Sequence, residues 1–163
     1  MTHWAAREIQ QANCHGTLAL GEVSLNTPAW AVLNVATLWQ PAPIRRENIA
    51  IPFRRGKLAV PGIIDDRTDS LLILVVGTCD QNGDPTEDPY AGLEENVGWL
   101  NDNLFTYATV VDSFDATLTM PSGAQKGGPM QLGTAQFGWE VGVAVTITVD
   151  FTLPDGQLDP LPP

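Results

Sequence analysis

The amino-acid sequence predicts a mainly β fold with one α-helix, from which a long hairpin or arm projects. Three observations lead there. Thirteen prolines and fifteen glycines punctuate short apolar runs, the pattern of strands and turns rather than of a helix bundle. Residues 141–153 alternate apolar with small or polar side chains in strict period two. The segment that opens at Pro89 carries helical spacing over several turns. The 163 residues suit one domain, 1–163, able to bury about 70% of its unfolded surface without a disulfide or metal.

Residues 1–16 have weak pattern, because Trp4, Ile9 and Cys14 do not define one face; they read as an N-terminal arm or a short helix. Thr17 to Leu25 reads as a short strand, apolar on both sides. Asn26-Thr27-Pro28 is turn chemistry, since proline fixes φ and cannot donate to a ladder. The run from Trp30 to Trp39, rich in Val, Leu and Trp, favours another strand.

Residues 40–62 hold Pro41, Pro43, Pro52 and Pro61, together with Ile44, Ile49, Ile51, Phe53, Leu58 and Val60 in no single period. This is the projecting arm. Loops beyond ~12–15 residues in a compact domain usually serve a function.

Ser70–Gly77 is apolar on both faces and belongs at the centre of a sheet. Asp80 to Pro85 turns. Asp88 then caps a helix with Pro89 at its first position, and Leu93, Val97, Leu100 and Leu104 form one stripe. After it, Phe114, Ala116, Leu118 and Met120 alternate with polar residues. Turns are expected at Pro121-Ser122-Gly123 and at Gly127-Gly128-Pro129. The 141–153 strand follows, its second face a smooth strip of Gly, Ala and Thr with one carboxylate, Asp150. The proline-rich C-terminal tail, 154–163, is expected not to continue a sheet.

Charge is unevenly placed. The chain carries a formal −11, with eight Lys and Arg against nineteen Asp and Glu. Five of the eight cations (Arg45, Arg46, Arg54, Arg55 and Lys57) fall within thirteen positions, and Arg67 lies just beyond. A positive strip on an acidic protein suits association with copies of itself, because such charges set register and encounter rate. The candidate interface residues are therefore Arg45, Arg46, Ile51, Phe53, Arg54, Arg55 and Lys57; a solvated basic hairpin is the alternative. The acidic balance argues against binding DNA or an anionic membrane directly. No run of about 18 apolar residues suggests a membrane span, and the amino terminus lacks the apolar core of a secretory signal.

Catalytic and metal signatures are missing from the pattern, and no enzyme activity, cofactor or metal is expected. His3 and His15 with Cys14 do not make a tetrahedral set, and Cys14 and Cys79 read as two reduced thiols. There is no Gly-x-Ser-x-Gly elbow and no Gly-x-x-x-x-Gly-Lys loop. Asp65, Asp66 and Asp69 read as edge charges rather than an acid–base pair. Asp80, Asn82 and Asp84 have calcium-loop spacing, but Pro85 and Ala91 stand where glycine and a bidentate acid are needed. The tryptophans show no sugar-platform spacing.

The order of features as a whole is suggestive: Gly21-Glu22-Val23-Ser24-Leu25-Asn26-Thr27-Pro28-Ala29-Trp30, then Arg45-Arg46 through Ile51-Pro52-Phe53-Arg54-Arg55-Gly56, then Arg67-Thr68 before a buried strand, and Asp88-Pro89-Tyr90-Ala91-Gly92-Leu93 opening the helix. Over residues 17–153 this resembles the small minor tail proteins of siphophages that infect actinobacteria. It is similar to the amino-terminal ring domain of distal tail proteins and, more remotely, to tail tube subunits. The resemblance implies a β-sandwich or split β-barrel of the phage tail tube type in a hexameric ring, made in the host cytoplasm and placed in the virion tail. An arm would embrace the neighbouring subunit. Tail tube, tail tip or hub and tape-measure proteins would be partners, and DNA would pass through the lumen without sequence-specific binding. The chain leaves no room for the galectin-like carbohydrate domain of larger distal tail proteins. Tube body, tail terminator, and a monomeric β-sandwich module that binds carbohydrate or peptide stand as alternatives.

Overall fold

The computed structural model describes residues 4–46, 48–50, 52–53, 55–140 and 142–163. The chain opens with helix α1 (Trp4–Asn13), so the short-helix reading of the N-terminal segment is the one realised there. Its buried face is Ala5, Ile9 and Ala12, spaced four and three, packed against Ala31, Leu74, Val76 and Ala144. The two alanines let the helix lie close to the sheet.

Thr17 to Leu25 forms a hairpin, β1 (Thr17–Leu20) and β2 (Val23–Ser24), instead of one strand. Gly21 turns it at φ 61°, a conformation that glycine adopts without steric cost. The expected strand from Trp30 to Trp39 is short: β3 (Trp30–Val32) gives way to a 3-10 helix, Val35–Trp39. Asn34 explains the switch. Its side-chain amide donates to the Ser70 carbonyl and accepts from the Leu72 N–H, both at 2.8 Å. The side chain thus takes the place of a peptide group in the ladder, and the backbone is free to leave.

The arm follows as a hairpin of two short ladders: β4 (Ile44–Arg45), β5 (Ile49–Ala50), β6 (Lys57–Leu58) and β7 (Ile63–Ile64), with β4 paired to β7 and β5 to β6. Strand β8 (Arg67–Val76) is interior, as its two apolar faces require.

Helix α2 (Pro89–Leu100) begins where expected, with the Asp88 carboxylate accepting from the Tyr90 N–H at 3.0 Å. The predicted helical span to Leu104 ends in a π-helical turn, Asn101–Phe105, that keeps Leu104 buried. The close seat of α2 depends on glycine. Thr86 donates its hydroxyl to the Gly77 carbonyl, and Gly77 and Gly92 face each other across the helix–strand contact. Buried Asn96 donates to the carbonyls of Val76 and Cys79 at 2.7 and 2.9 Å, satisfying backbone groups where the sheet ends.

The remaining strands are β9 (Phe114–Thr119), β10 (Gln125–Glu140), β11 (Ala144–Leu153) and β12 (Asp159–Pro160). Gly127-Gly128-Pro129, expected to be a turn, lies inside β10. Asp115, opposite Pro129, directs its carbonyl toward the Gly21 N–H at 2.9 Å and so away from β10. Pro129 therefore occupies a non-hydrogen-bonded position, where its missing N–H costs no ladder bond. A Cβ at Gly127 would press on Leu161, so the glycine admits the C-terminal segment. That segment does join the sheet, contrary to expectation: β12 pairs with Lys126 and Gly127, and Leu158 is buried. The alternating run loses its start. Gly142, at φ 87°, and Val143 turn between β10 and β11, and Val141 lies outside the described residues.

The main sheet runs β2-β1-β9-β10-β11-β8-β3, with β12 beside β10. Strand β10 pairs with β9 through residues 125–130 and with β11 through 131–140, bulging between Leu132 and Ala135. It passes from one layer into the other. The core between them includes Leu20 and Leu118 on one side, Ile73, Ile147 and Phe151 on the other, and Leu93, Leu100 and Leu104 from the helical segment. Trp30 stacks on Trp99 with ring centroids 5.4 Å apart.

Two glycine substitutions should move stability in opposite directions. In Gly77→Ala the new Cβ meets the Pro89 carbonyl and the Leu93 backbone nitrogen, so thermal unfolding should fall by roughly 5–10 °C for an overpacking cost near ~3 kcal/mol. In Gly98→Ala the Cβ meets nothing within 4 Å, so helix propensity alone should raise stability by up to ~1 kcal/mol. Calorimetry of both variants checks the pair.

Candidate functional site: the basic arm

The arm is rooted by packing and hydrogen bonds at its base. At its base a Cβ on Gly62 would overlap the Ile44 side chain, and one on Gly156 would overlap the Asp65 carbonyl. The Asp65 N–H donates to the Pro43 carbonyl at 3.0 Å, and Ala42 N–H donates to Gln157 Oε1 at 3.3 Å. Arg67, grouped by sequence with the basic strip, is instead an interior anchor. Its guanidinium donates to the carbonyls of Thr37 and Gln40, reaches Gln40 Oε1 at 3.0 Å, and pairs with Asp69 at 3.2 Å. It is only 7% exposed. Those carbonyls end the 3-10 helix, so Arg67 fixes the point from which the arm departs.

Beyond that base several of the described side chains are exposed. Arg45 lies on β4, Arg46 follows it, Arg55 sits in the tip turn and Lys57 is on β6; all four are exposed. Among the described residues Arg46, Arg55 and Lys57 form no ion pair. Ile51 and Arg54 lie outside the described residues. Ile44, Ile63 and Ile64 are each about 60% exposed, and Phe53 at the tip is fully exposed. Phe53 also has φ 64°, the left-handed region that a bulky residue rarely adopts. A large aromatic held in that conformation with nothing around it points to a contact outside the chain.

The candidate catalytic and metal groups are used locally. Among the described residues no three His, Cys, Asp or Glu side chains are placed to hold a metal ion together. Asp69 serves Arg67 and the Ser70 N–H, and Asp65 accepts from the Asp66 N–H. Cys14 and Cys79 are both free thiols. Burial, then the Asp80 carboxylate, push the Cys79 thiol up, which leaves it a weaker nucleophile. In the calcium-like loop the Asp80 carboxylate accepts from the Asn82 and Asp84 N–H groups at 2.8 and 2.9 Å, a self-contained turn. No helix among the described residues is long and apolar enough to cross a membrane.

Sequence reasoning missed a second exposed feature, Phe137 and Trp139 on β10. The signal was present: Ala135, Phe137 and Trp139 alternate with Gln136, Gly138 and Glu140. The turn expected at residues 127–129 hid the strand that carries them.

No family model matches the chain, and no curated protein matches it significantly in sequence. Among solved structures its fold is similar to that of the Dit protein (gp 19.1) of phage SPP1, described as a paradigm of the hub adsorption apparatus in phages that infect Gram-positive hosts. The TM-score is 0.56 at 18% identity, over 86% of this chain and 50% of that one. The chain thus spans about half the length of that protein.

The Asp80 turn makes a pH prediction. The Asp84 N–H first, then that of Asn82, hold the carboxylate below its ordinary value. A depressed folded pKa gives a stabilising contribution that is present above the unfolded value of ~3.9 and lost as pH falls through the folded value. Asp80→Asn keeps an acceptor without the titration. Its acid unfolding profile should be flatter below about pH 4, and an unchanged profile would show that the turn carries no linkage.

Proposed function

We propose that this chain is a structural component of a phage tail, in which copies associate through the basic arm into a ring around the DNA channel. The position that fits best is the distal tail or hub adaptor, with six copies, tail tube and tail tip proteins as neighbours, and the tape-measure protein inside. The observation that carries the proposal is the arm: a cationic, apolar hairpin standing clear of an otherwise acidic body whose fold is like that of a phage hub protein. Four apolar side chains left in water are the strongest physical argument, because burying each stabilises by ~1.5–3 kcal/mol. Such a surface is expected to be covered.

The part of the outer face of β8 and β11 that helix α1 does not cover supports the channel reading. Ser70 donates to Asp150 at 2.8 Å, the hydroxyls of Thr68 and Thr152 meet at 3.1 Å, and Thr146 and Thr148 continue the strip. From Thr68 to Pro163 the sequence has one cation, Lys126. A hydroxyl-lined wall without Lys or Arg gives DNA phosphates nothing to adhere to, so a duplex can slide.

Reversing charge at the tip tests the proposal. Arg54→Glu with Arg55→Glu should raise the concentration for half-assembly by about 10–100-fold, the scale of two lost contacts turned repulsive. The monomer's unfolding temperature should stay within about 2 °C, since the buried core of the described residues, which carries most of the stability, includes neither position, and Arg55 is exposed. Light scattering behind a sizing column reads both species. A variant with the wild-type assembled mass at every concentration would contradict the arm's role.

A further inference from the structure

Covering the arm requires a surface of opposite character, and the structure contains one. Between α2 and the second half of β10 runs a groove of about 440 Å³ lined by Leu93, Val97, Phe137, Trp139 and Val145. That volume lies in the ~300–1,000 Å³ range of clefts that bind partners of side-chain or ligand size. Trp139 is 67% exposed and Phe137 48%, although both point to the side of β10 that also faces the helix. Phe137 is fixed in place by an edge-on contact with Phe105, centroids 6.0 Å apart. The aromatic floor is therefore ordered and open to water at once.

The rim is acidic. Glu94 lines the groove and Glu95, exposed, follows it on α2; Glu140 lies on the opposite face of β10, where Thr146 donates to it at 2.9 Å. No cation lies on α2, its π-helical turn or residues 131–140; Lys126 is at the far end of β10, beside β12. Among the described residues no strand pairs with the edge of 131–140 that faces away from β11. That edge leaves backbone donors and acceptors available to an incoming hairpin.

We infer that this groove receives the arm of a second copy of the chain, with Phe53 seated against Trp139 and Phe137 and the arm's Arg and Lys side chains facing Glu94 and the cation-free flank of α2. The inference rests on the arm-mediated association proposed above and names its receiving surface. Charge complementarity selects the occupant: the arm is the one strongly basic, apolar segment in the sequence. The chain's own arm does not fill the groove, because Phe53 is fully exposed and the arm strands pair only with each other among the described residues. Arm and groove are different patches, so the contact is heterologous. Repeating it head to tail closes a ring when the rotation allows and otherwise extends a filament.

A photo-crosslinking amino acid placed at Phe53 of the full chain tests this directly. Equal amounts of 15N-labelled and unlabelled protein are mixed, irradiated and mapped by mass spectrometry. Inter-copy crosslinks to peptides spanning 93–101 or 137–145 are expected, and Trp139→Ser should cut their yield at least about tenfold, a loss of one well-packed aromatic anchor. Inter-copy crosslinks that map elsewhere would overturn the groove and leave arm-mediated association standing. Crosslinks confined within one chain, or none at all, would overturn both.

Discussion

Strand β10 is the constraint on which the architecture turns, because both layers borrow it. Its first six residues close one layer against β9, its last ten extend the other against β11, and the bulge after Leu132 takes up the change of direction. A strand shared this way must cross from one set of neighbours to another without stranding a donor. Pro129 sits where no N–H is needed, and the glycines beside it make room for Leu158 and Leu161. The same crossing leaves the outer edge of residues 131–140 without a strand neighbour among the described residues and turns Phe137 and Trp139 toward α2. The core geometry thus creates the exposed aromatic groove.

The arm is tied to that core by a different device. Arg67 is the first residue of β8 and also the clamp on the carbonyls that end the 3-10 helix. Burying a guanidinium is unfavourable unless its donors are matched; here Thr37, Gln40 and Asp69 match them, and the two ends of the arm are held to one place. Rigid roots and an open shaft suit a hairpin whose contacts lie outside its own chain. The charge layout has the same logic: most of the acids lie on the body and five of the eight cations on the arm.

Much of this was legible in the residues. The Asp88-Pro89 cap, the stripe from Leu93 to Leu104, the two-faced apolar run of β8 and the alternation of β11 each declare one geometry, and the structure has them. The arm's hairpin form and its basic character were likewise readable. What escaped had weak or competing signals. The sequence leaves helix α1 open between arm and short helix because its buried face rests on two alanines, which carry little apolar contrast. Asn34 ends β3 through a side chain that imitates a peptide, a long-range bond invisible in local pattern. Gly127-Gly128-Pro129 spells a turn until the non-hydrogen-bonded register and the returning C-terminal segment are known. Arg67 looked like one more surface cation because its partners lie 27 and 30 positions upstream.

The account stands on attraction between a cationic, apolar arm and an acidic flank of another copy. Sedimentation velocity of the wild-type chain across protein concentration, at about 0.05 and 0.5 M sodium chloride, measures that attraction most directly, since exposed charge pairs are screened over ~3–10 Å across the 0.1–1 M range. The account predicts one discrete oligomer at low salt whose half-assembly concentration rises when salt is added. A single monomer boundary at every concentration and both salt levels would contradict it.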